Sequence, residues 1–229
     1  MNDFELDDFN FEFDFEILDD SAKTGIMTPV LEKPVTVKYK YAQDLVNQLQ
    51  LNKGINYYAI LSGNFIFGDI FEAWAEKLKI KQLYLSTLGM SVNNVDSLVN
   101  CIKQYNVEQI NLIVSHYFFG VERNRMVRYL YEEILGYPFK VAVAGSHSKI
   151  ALIETDDLFI TIHGSANLSS NHNIEQLMII ENRQLFEFNK EIFDKIFLHQ
   201  TIIDGNKTDY KAAKNSTAKT TWERVISNG

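Results

Sequence analysis

The chain has 229 residues, of which 46% are hydrophobic, which is enough for one sizeable core and predicts one folded unit with tails. The net charge is −8, yet residues 1–20 hold nine of the 30 acidic residues, so the rest of the chain is close to neutral. This charge distribution excludes a uniformly basic surface for binding nucleic acid. Any phosphate binding must therefore come from a local cluster of side chains.

The single cysteine and the acidic start of the chain bear on the compartment. Cys101 has no second cysteine with which to form a disulfide within the chain, which fits a reducing compartment. The first basic residue is Lys23, whereas a signal peptide begins with basic residues, and no apolar run is long enough to span a bilayer. We therefore expect a cytoplasmic protein that has no membrane partner.

Residues 1–34 are predicted to form an acidic-aromatic arm and a linker. Residues 2–16 alternate Phe or Leu with Asp or Glu, and so many like charges disfavour folding alone. Two interpretations stay open: a solvated or partner-ordered tail, and a peptide of residues 1–24 that docks on another protein or shields a cationic groove. Two prolines, at 29 and 34, indicate the linker, so the folded domain is predicted to begin at Val35.

Residues 35–202 are predicted to form an α/β domain, because apolar runs typical of strands alternate with helical periods. Crossover helices between parallel strands cover the faces of a sheet, and the apolar run 110–114 suits a strand buried on both faces. We therefore predict a mixed, largely parallel central sheet flanked by helices. The alternating strands and helices of the first half are predicted at 55–61, 67–78, 82–88, 95–105, 109–117 and 123–135.

The pattern changes after Gly136 and Pro138, which end the alternation. Strand-like runs follow at 139–144, 149–154, 158–163 and 175–180, and the middle two are predicted to form an antiparallel hairpin. A closing helix is predicted at 185–199, with five apolar side chains toward the core: Phe186, Ile192, Phe193, Ile196 and Phe197. The polar residues 203–229 are predicted to form a C-terminal tail.

The predicted hairpin carries His-x-Lys at one end and Gly-Ser-x-Asn at the other. His147 and Lys149 lie two residues apart on a strand and therefore share a face, and an antiparallel return brings Gly164, Ser165 and Asn167 beside them. An imidazole can attack phosphorus, an ammonium group stabilises the non-bridging oxygens, and amide and hydroxyl groups supply hydrogen bonds. The pattern predicts a phosphate-ester site that needs no metal and no other cofactor.

These residues resemble the phospholipase D superfamily, whose signature is His-x-Lys, four residues, Asp, and then Gly-Ser-x-Asn. The resemblance is to the small single-motif nucleases and related phage-encoded proteins, over residues 110–182 and most strongly over 145–180. It implies a phospholipase-D-like half with catalytic roles for His147, Lys149, Ser165 and Asn167 and a substrate-binding role for the glycine at 164.

The residues after the motif extend the resemblance, and two features depart from it. By the resemblance, Asn171 would contact the substrate, and Glu175 would accept a hydrogen bond from the histidine and orient it. The departures are a longer hairpin and Glu154 at the position of the signature Asp. Asp156 and Asp157 are alternatives for this acid, yet both lie in the predicted turn, where Asp makes local hydrogen bonds.

In this family two such motifs form one site, where one histidine becomes a phosphohistidine and the other protonates the leaving oxygen and then activates water. Since this chain has one motif, the resemblance implies a two-fold homodimer in which His147 plays both roles, one in each subunit. The implied function is a phosphodiesterase, most simply a nuclease, which acts on nucleic acid and which fits a phage-encoded hydrolase in a bacterial host. The alternative is a catalytically degenerate relative that serves as a structural or interaction component, for example of a phage, and docks through its arm.

Further side chains outside the motif admit two interpretations each. His116 follows a predicted strand, so it would bind substrate in the same cleft or be a packed or capping histidine. His163 would lie at the rim of the site or be buried with its ring satisfied. Arg123, Arg125 and Arg128 would contact phosphate or form a solvated helix face.

Overall fold

The computed structural model describes residues 42–62, 66–122, 125–169 and 174–205. The predicted arm and linker at 1–34, Asn171, Arg123 and residues 206–229 lie outside the described residues. The described elements are α1 (Ala42–Gln48), β1 (Asn56–Ser62), α2 (Phe67–Ala75), β2 (Gln82–Thr87), α3 (Val92–Lys103), β3 (Gln109–Ser115), α4 (His116–Glu122), α5 (Met126–Ile134), β4 (Phe139–Ala144), β5 (Ile150–Glu154), β6 (Phe159–Gly164), β7 (Ile174–Glu181), α6 (Arg183–Gln200) and β8 (Thr201–Asp204).

The strands form one sheet in the order β1-β7-β6-β5-β2-β3-β4-β8. The predicted mixed α/β architecture, a central sheet flanked by helices, is confirmed. The parallel part is smaller than predicted, because among the described strands only β2, β3 and β4 pair in parallel, whereas the other neighbouring strands are antiparallel. The short connections of β5, β6 and β7 permit only antiparallel pairing, and these three strands separate β1 from β2.

Helices cover both faces of the sheet and create two cores. The larger core contains α1, α2, α3 and α5, and its largest fully buried side chains include Trp74 and Phe71. On the other face, α6 places Phe186 and Phe193 on Tyr84 and its neighbours, which contributes about 1.5–3 kcal/mol for each buried ring. Ile192 is 48% exposed, contrary to the prediction, because a helix turns by about 100° per residue and directs it away from the face that carries Phe193.

The third predicted strand is shorter than expected because a helix begins within it. Strand β3 ends at Ser115, whose Oγ accepts a hydrogen bond from the backbone N–H of Phe118 at 3.0 Å. A serine in this position is a typical helix N-cap, and α4 starts at the next residue, His116. The helix predicted at 123–135 corresponds to the separate helix α5.

The sheet includes the start of the predicted C-terminal tail, because β8 extends to Asp204 and the tail was predicted to begin at residue 203. Strand β8 directly follows α6 and pairs antiparallel with β4, with Asp204 opposite Lys140. Neither β8 nor the short helix α1 was predicted. The four residues of β8 are too few to show a recognisable alternation of apolar and polar side chains. Their strand conformation comes from pairing with the edge of β4.

Candidate active site

The motif residues lie at one edge of the sheet. Here the carboxyl ends of β2, β3, β4 and β6 meet the amino ends of β5 and β7, because the latter two strands run in the opposite direction. We call this edge the site edge. Open α/β sheets bind ligands at the carboxyl ends of their parallel strands, so the position suits a functional site.

His147 and Lys149 lie together in the segment 145–149, which connects β4 to β5. The imidazole is exposed and the lysine is half-buried. Lys149 Nζ lies 3.3 Å from His147 Nδ1 and donates a hydrogen bond to the backbone oxygen of His147 at 3.0 Å. Because an ammonium group can only donate, the approach of Nζ to Nδ1 is a hydrogen bond in the tautomer whose Nδ1 carries no proton.

The hairpin register brings Gly164 next to Lys149. Ile150 pairs with His163, and one residue further Gly164 N donates to Lys149 O at 3.2 Å. A Cβ atom at position 164 would meet Leu177 Cδ2 at 2.6 Å and a backbone oxygen of β7 at 2.7 Å. The glycine therefore allows β7 to approach closely, while its own N–H group continues the hairpin ladder.

Ser165, the residue after β6, contacts Glu175 of β7. Ser165 Oγ donates a hydrogen bond to Glu175 Oε2 and accepts one from Gln176 N at 3.1 Å. The backbone N–H of Ser165 also donates to Gln176 O at 3.1 Å. The carboxylate of Glu175 is thereby held at the site edge, and its role in orienting His147 stays a prediction.

Asn167 is tied to the end of β2. Its Oδ1 accepts a hydrogen bond from Leu88 N at 3.3 Å, and the neighbouring Leu168 N donates to Thr87 Oγ1 at 3.1 Å. A parallel bridge between Met90 and Leu168 continues this attachment. Since Oδ1 accepts from the backbone, the Nδ2 amide of Asn167 is the group suited to donate to a phosphate oxygen.

A small cleft opens beside the motif on the face that α2 covers. Lys149, Gly164 and Thr87 line it together with apolar side chains, among them Phe67 and Leu168. One residue from each half of the motif, Lys149 and Gly164, therefore lies on the wall of the same cleft. Three further residues of the cleft wall come from β2, β5 and β6: Leu85, Ala151 and Ile162.

The acid at the signature Asp position lies far from the site edge. Glu154 is the last residue of β5, paired with Phe159 and Gln82, and five residues along a strand separate it from Lys149 by about 17 Å. Asp156 forms an ion pair with Lys81 in the turn beyond, and this contact lowers the pKa of its carboxyl. The substitution of Asp by Glu therefore falls at the opposite edge of the sheet.

His116 and His163 are both half-buried. Burial lowers the pKa of His116, and a hydrogen bond with the backbone of Val143 offsets this only in part. Burial also lowers the pKa of His163, which shares a sheet face with Ile150 and Met178, opposite to that of Gly164. His116 begins α4 at the site edge, so a substrate-binding role for it stays a prediction.

The two described arginines of the predicted phosphate cluster pair with glutamates. Arg125 Nε lies 3.1 Å from Glu122 Oε2, and Arg128 Nε lies 2.8 Å from Glu132 Oε1. These pairs favour the interpretation as a solvated helix face. Within residues 42–62, 66–122, 125–169 and 174–205, no three His, Cys, Asp or Glu side chains are grouped so that they could hold a metal ion.

Sequence reasoning missed Ser86 and Thr87, the last two residues of β2. Ser86 Oγ lies 3.0 Å from Ser146 Oγ and 2.8 Å from Ser148 Oγ, the hydroxyls on either side of His147. The available signal was a pair of hydroxyl residues at the carboxyl end of an otherwise apolar parallel strand, where ligand sites tend to lie.

None of the helices among the described residues is long and apolar enough to cross a bilayer.

The chain was compared with known families, curated proteins and solved structures. No protein-family model matches it, and no curated protein matches it. It is similar to NucT from Helicobacter pylori, with a TM-score of 0.46 and 15% identity over 58% of this chain and 88% of that chain. It is also similar to Nuc from Salmonella typhimurium, a phospholipase D family member, with a TM-score of 0.45 and 14% identity over 64% of this chain and 97% of that chain. A polyphosphate kinase from Porphyromonas gingivalis gives a TM-score of 0.48 and 10% identity over 67% of this chain and 28% of that chain.

Proposed function

We propose that the chain is a phospholipase-D-like phosphodiesterase in which His147 is the nucleophile. The observation that carries the proposal is the meeting of both motif halves at the site edge. The exposed imidazole lies beside the Lys149 ammonium, and the return strand places Gly164 against Lys149 through a main-chain hydrogen bond. An exposed nucleophile with an adjacent cation suits attack on a phosphate diester.

The proposed reaction has two displacements at phosphorus. In the first, an imidazole nitrogen of His147 forms a bond to phosphorus while the bond to the leaving oxygen breaks. Lys149 and the Nδ2 amide of Asn167 would stabilise the negative charge on the non-bridging oxygens. In the second, water attacks phosphorus, and the bond between phosphorus and nitrogen breaks. Ser165 and Glu175, which are bonded to each other, would orient the histidine through the carboxylate.

A second imidazole must protonate the leaving oxygen and later take the proton of the attacking water. The sequence holds one His-x-Lys motif, so we propose that a second copy of the chain supplies this group in a two-fold homodimer. Each copy of His147 then acts as nucleophile or as acid and base, and a monomer is inactive.

Nucleic acid is the proposed substrate. His147 is exposed at an open edge, whereas small-molecule sites usually enclose most of their ligand. An open edge admits a long polymer whose phosphodiester passes over the imidazole. Lipid fits less well, because no amphipathic segment suited to docking on a membrane surface is evident in the sequence.

Cleavage assays in excess EDTA test the proposal. Purified protein is incubated with single-stranded DNA, double-stranded DNA and RNA, beside the variant His147→Ala. We expect cleavage that persists in the chelator and falls at least about a thousandfold in the variant, since the nucleophile is lost. Acid quenching destroys phosphohistidine, so trapping in base with substrate radiolabelled at phosphorus would identify the covalent intermediate.

Absence of cleavage on all three substrates, with the variant and the unchanged protein alike, would contradict the proposal. That result would favour the alternative, a catalytically degenerate relative that acts as a structural or interaction component. Cleavage that stops in EDTA would contradict the metal-independent mechanism while leaving a nuclease in place.

A further inference from the structure

Strand β2 ends in two hydroxyl residues that contact different parts of the motif. Ser86 and Thr87 are 6% and 1% exposed, and as neighbours on a strand they point to opposite faces of the sheet. The strand that carries them is central, because β5 pairs with one side of it and β3 with the other. The two hydroxyls therefore project from a part of the molecule that is held on both sides.

Ser86 holds the segment that carries the nucleophile. Its Oγ lies 3.0 Å from Ser146 Oγ and 2.8 Å from Ser148 Oγ, and these two hydroxyls lie 2.7 Å from each other. Ser148 N also donates to Ser146 Oγ at 3.2 Å. Both chain neighbours of His147 are thus fixed by one closed triangle of hydroxyls, although the imidazole itself is exposed and lies outside any helix or strand.

Thr87 holds the loop that carries Asn167. Its Oγ1 accepts from Leu168 N at 3.1 Å and donates to Gly89 O at 2.7 Å. The next residue, Leu88, donates its N–H to Asn167 Oδ1 at 3.3 Å. The carbonyl of Leu88 in turn accepts from Ser115 Oγ on β3 at 2.7 Å, so this attachment is anchored to the next strand.

We infer that Ser86 and Thr87 are positioning residues that set the separation between His147 and Asn167 across the end of β2. The inference rests on the proposed function, since it concerns the geometry of the same site. Two adjacent residues of one strand hold the segment that carries His147 and the loop that carries Asn167. Neither the segment nor the loop can therefore shift alone while both hydroxyls are bonded. A displacement of about 1 Å between reacting groups can lower a rate by about a hundredfold, which makes such a frame consequential.

A purely structural role makes a different prediction from a positioning role. Hydroxyls that only satisfy buried polar groups would alter stability when removed and leave the turnover of the folded protein unchanged. Positioning hydroxyls would lower kcat in protein that is fully folded, with little change in KM, because the lost geometry matters most in the transition state. The two roles therefore separate in steady-state kinetics measured well below the unfolding temperature.

The experiment uses the full chain and four variants, each confirmed as folded by circular dichroism. Ser86→Ala and Thr87→Val remove the hydroxyls, and Thr87→Ser keeps the hydroxyl while it removes a methyl group. Ser97→Ala is the matched control, because Ser97 is a buried serine whose Oγ donates to Asp69 at 2.5 Å and to the backbone oxygen of Asn93 at 2.9 Å rather than to a residue of the motif. Cleavage of the best substrate from the EDTA assay gives kcat and KM for each.

We expect kcat to fall by about ten- to a hundredfold in Ser86→Ala and Thr87→Val, with KM within about twofold. Thr87→Ser should recover most of the rate, and Ser97→Ala should keep it. Unchanged kcat in both hydroxyl-free variants, equal loss in Ser97→Ala, or loss confined to KM would each overturn the inference while the proposed function stands. If the unchanged protein cuts none of the substrates, the proposed function fails first and the positioning role falls with it.

Discussion

His163 and His147 differ in burial, since the imidazole of His147 is exposed and that of His163 is not. His163 is half-buried on β6, and burial lowers the pKa of its imidazole below the usual 6.5. At pH values between the pKa of His163 in the unfolded chain and its lower pKa in the folded protein, the unfolded chain binds more protons than the native protein does. Stability therefore rises with pH through this interval and is lost as the solution becomes more acidic.

A titration of stability tests this linkage at the level of one residue. The free energy of unfolding in urea, measured at several pH values below 6.5, should fall with acidification in the unchanged protein and fall less in His163→Asn. Met178→Leu is the control, because Met178 pairs with His163 on the same face and does not titrate. Equal slopes in all three proteins would contradict a buried, neutral His163.

The motif side chains could be read from the sequence because their spacing is local. His147 and Lys149 lie two apart in the segment before β5, rather than on a strand as predicted, and the hairpin spans one short turn that returns Gly164 beside Lys149. Ser86 and Thr87 could not be read in the same way. Their contacts depend on β2 pairing with β5, a long-range arrangement that local periodicity does not specify.

At the scale of secondary-structure elements, the local sequence pattern predicted the bounds of strands better than it predicted which strands pair. Strand β4 was predicted at its observed bounds, and the apolar run in β3 indicated a central strand, because burial on both faces leaves a local signature. The partner of β1 left no such signature. Strand β1 pairs with β7, which is far away in the chain, so that Ala59 lies opposite Leu177. This long-range pairing sets the position of β1 in the sheet, and no local pattern indicates it.

The packing of β6 against β7 gives a prediction for the element that carries Gly164. In Gly164→Ala the added Cβ would meet Leu177 and the backbone of β7 at 2.6–2.7 Å. We expect the free energy of unfolding to fall by about 1–3 kcal/mol, since a backbone cannot yield as a flexible side chain can. Activity should fall as well, because the same pairing places Ser165 against Glu175.

Gly120→Ala provides the matched control, measured by urea unfolding in the same way. Gly120 lies in α4, and a Cβ there would meet nothing within 4 Å. Alanine favours a helix over glycine by about 1 kcal/mol, so this variant should be as stable as the unchanged protein or more so. A Gly164→Ala variant with unchanged stability would contradict the close approach of β7.

For the whole molecule, the proposal requires two copies of the chain at one site. Unchanged protein and His147→Ala are unfolded together in equal amounts and refolded, with different tags so that mixed dimers can be counted. If both histidines are required, random pairing should leave about half of the activity that the unchanged protein has when it refolds alone.

Refolding with an equal mass of an unrelated protein is the control and should leave the activity unaltered. Full activity in a preparation that contains mixed dimers would indicate that a single histidine suffices. Light scattering on the unchanged protein should give the mass of a dimer under the assay conditions, and a monomer with full activity would contradict the paired site.

The distance between Glu154 and the site edge has a consequence for how such chains are recognised. The two ends of β5 lie at opposite edges of the sheet, since Lys149 directly precedes the strand at the site edge and Glu154 ends it beside β2 and a turn on the far side. A search template that weights the imidazole, ammonium and amide positions and lets the distal acid vary would retrieve proteins that a strict signature discards.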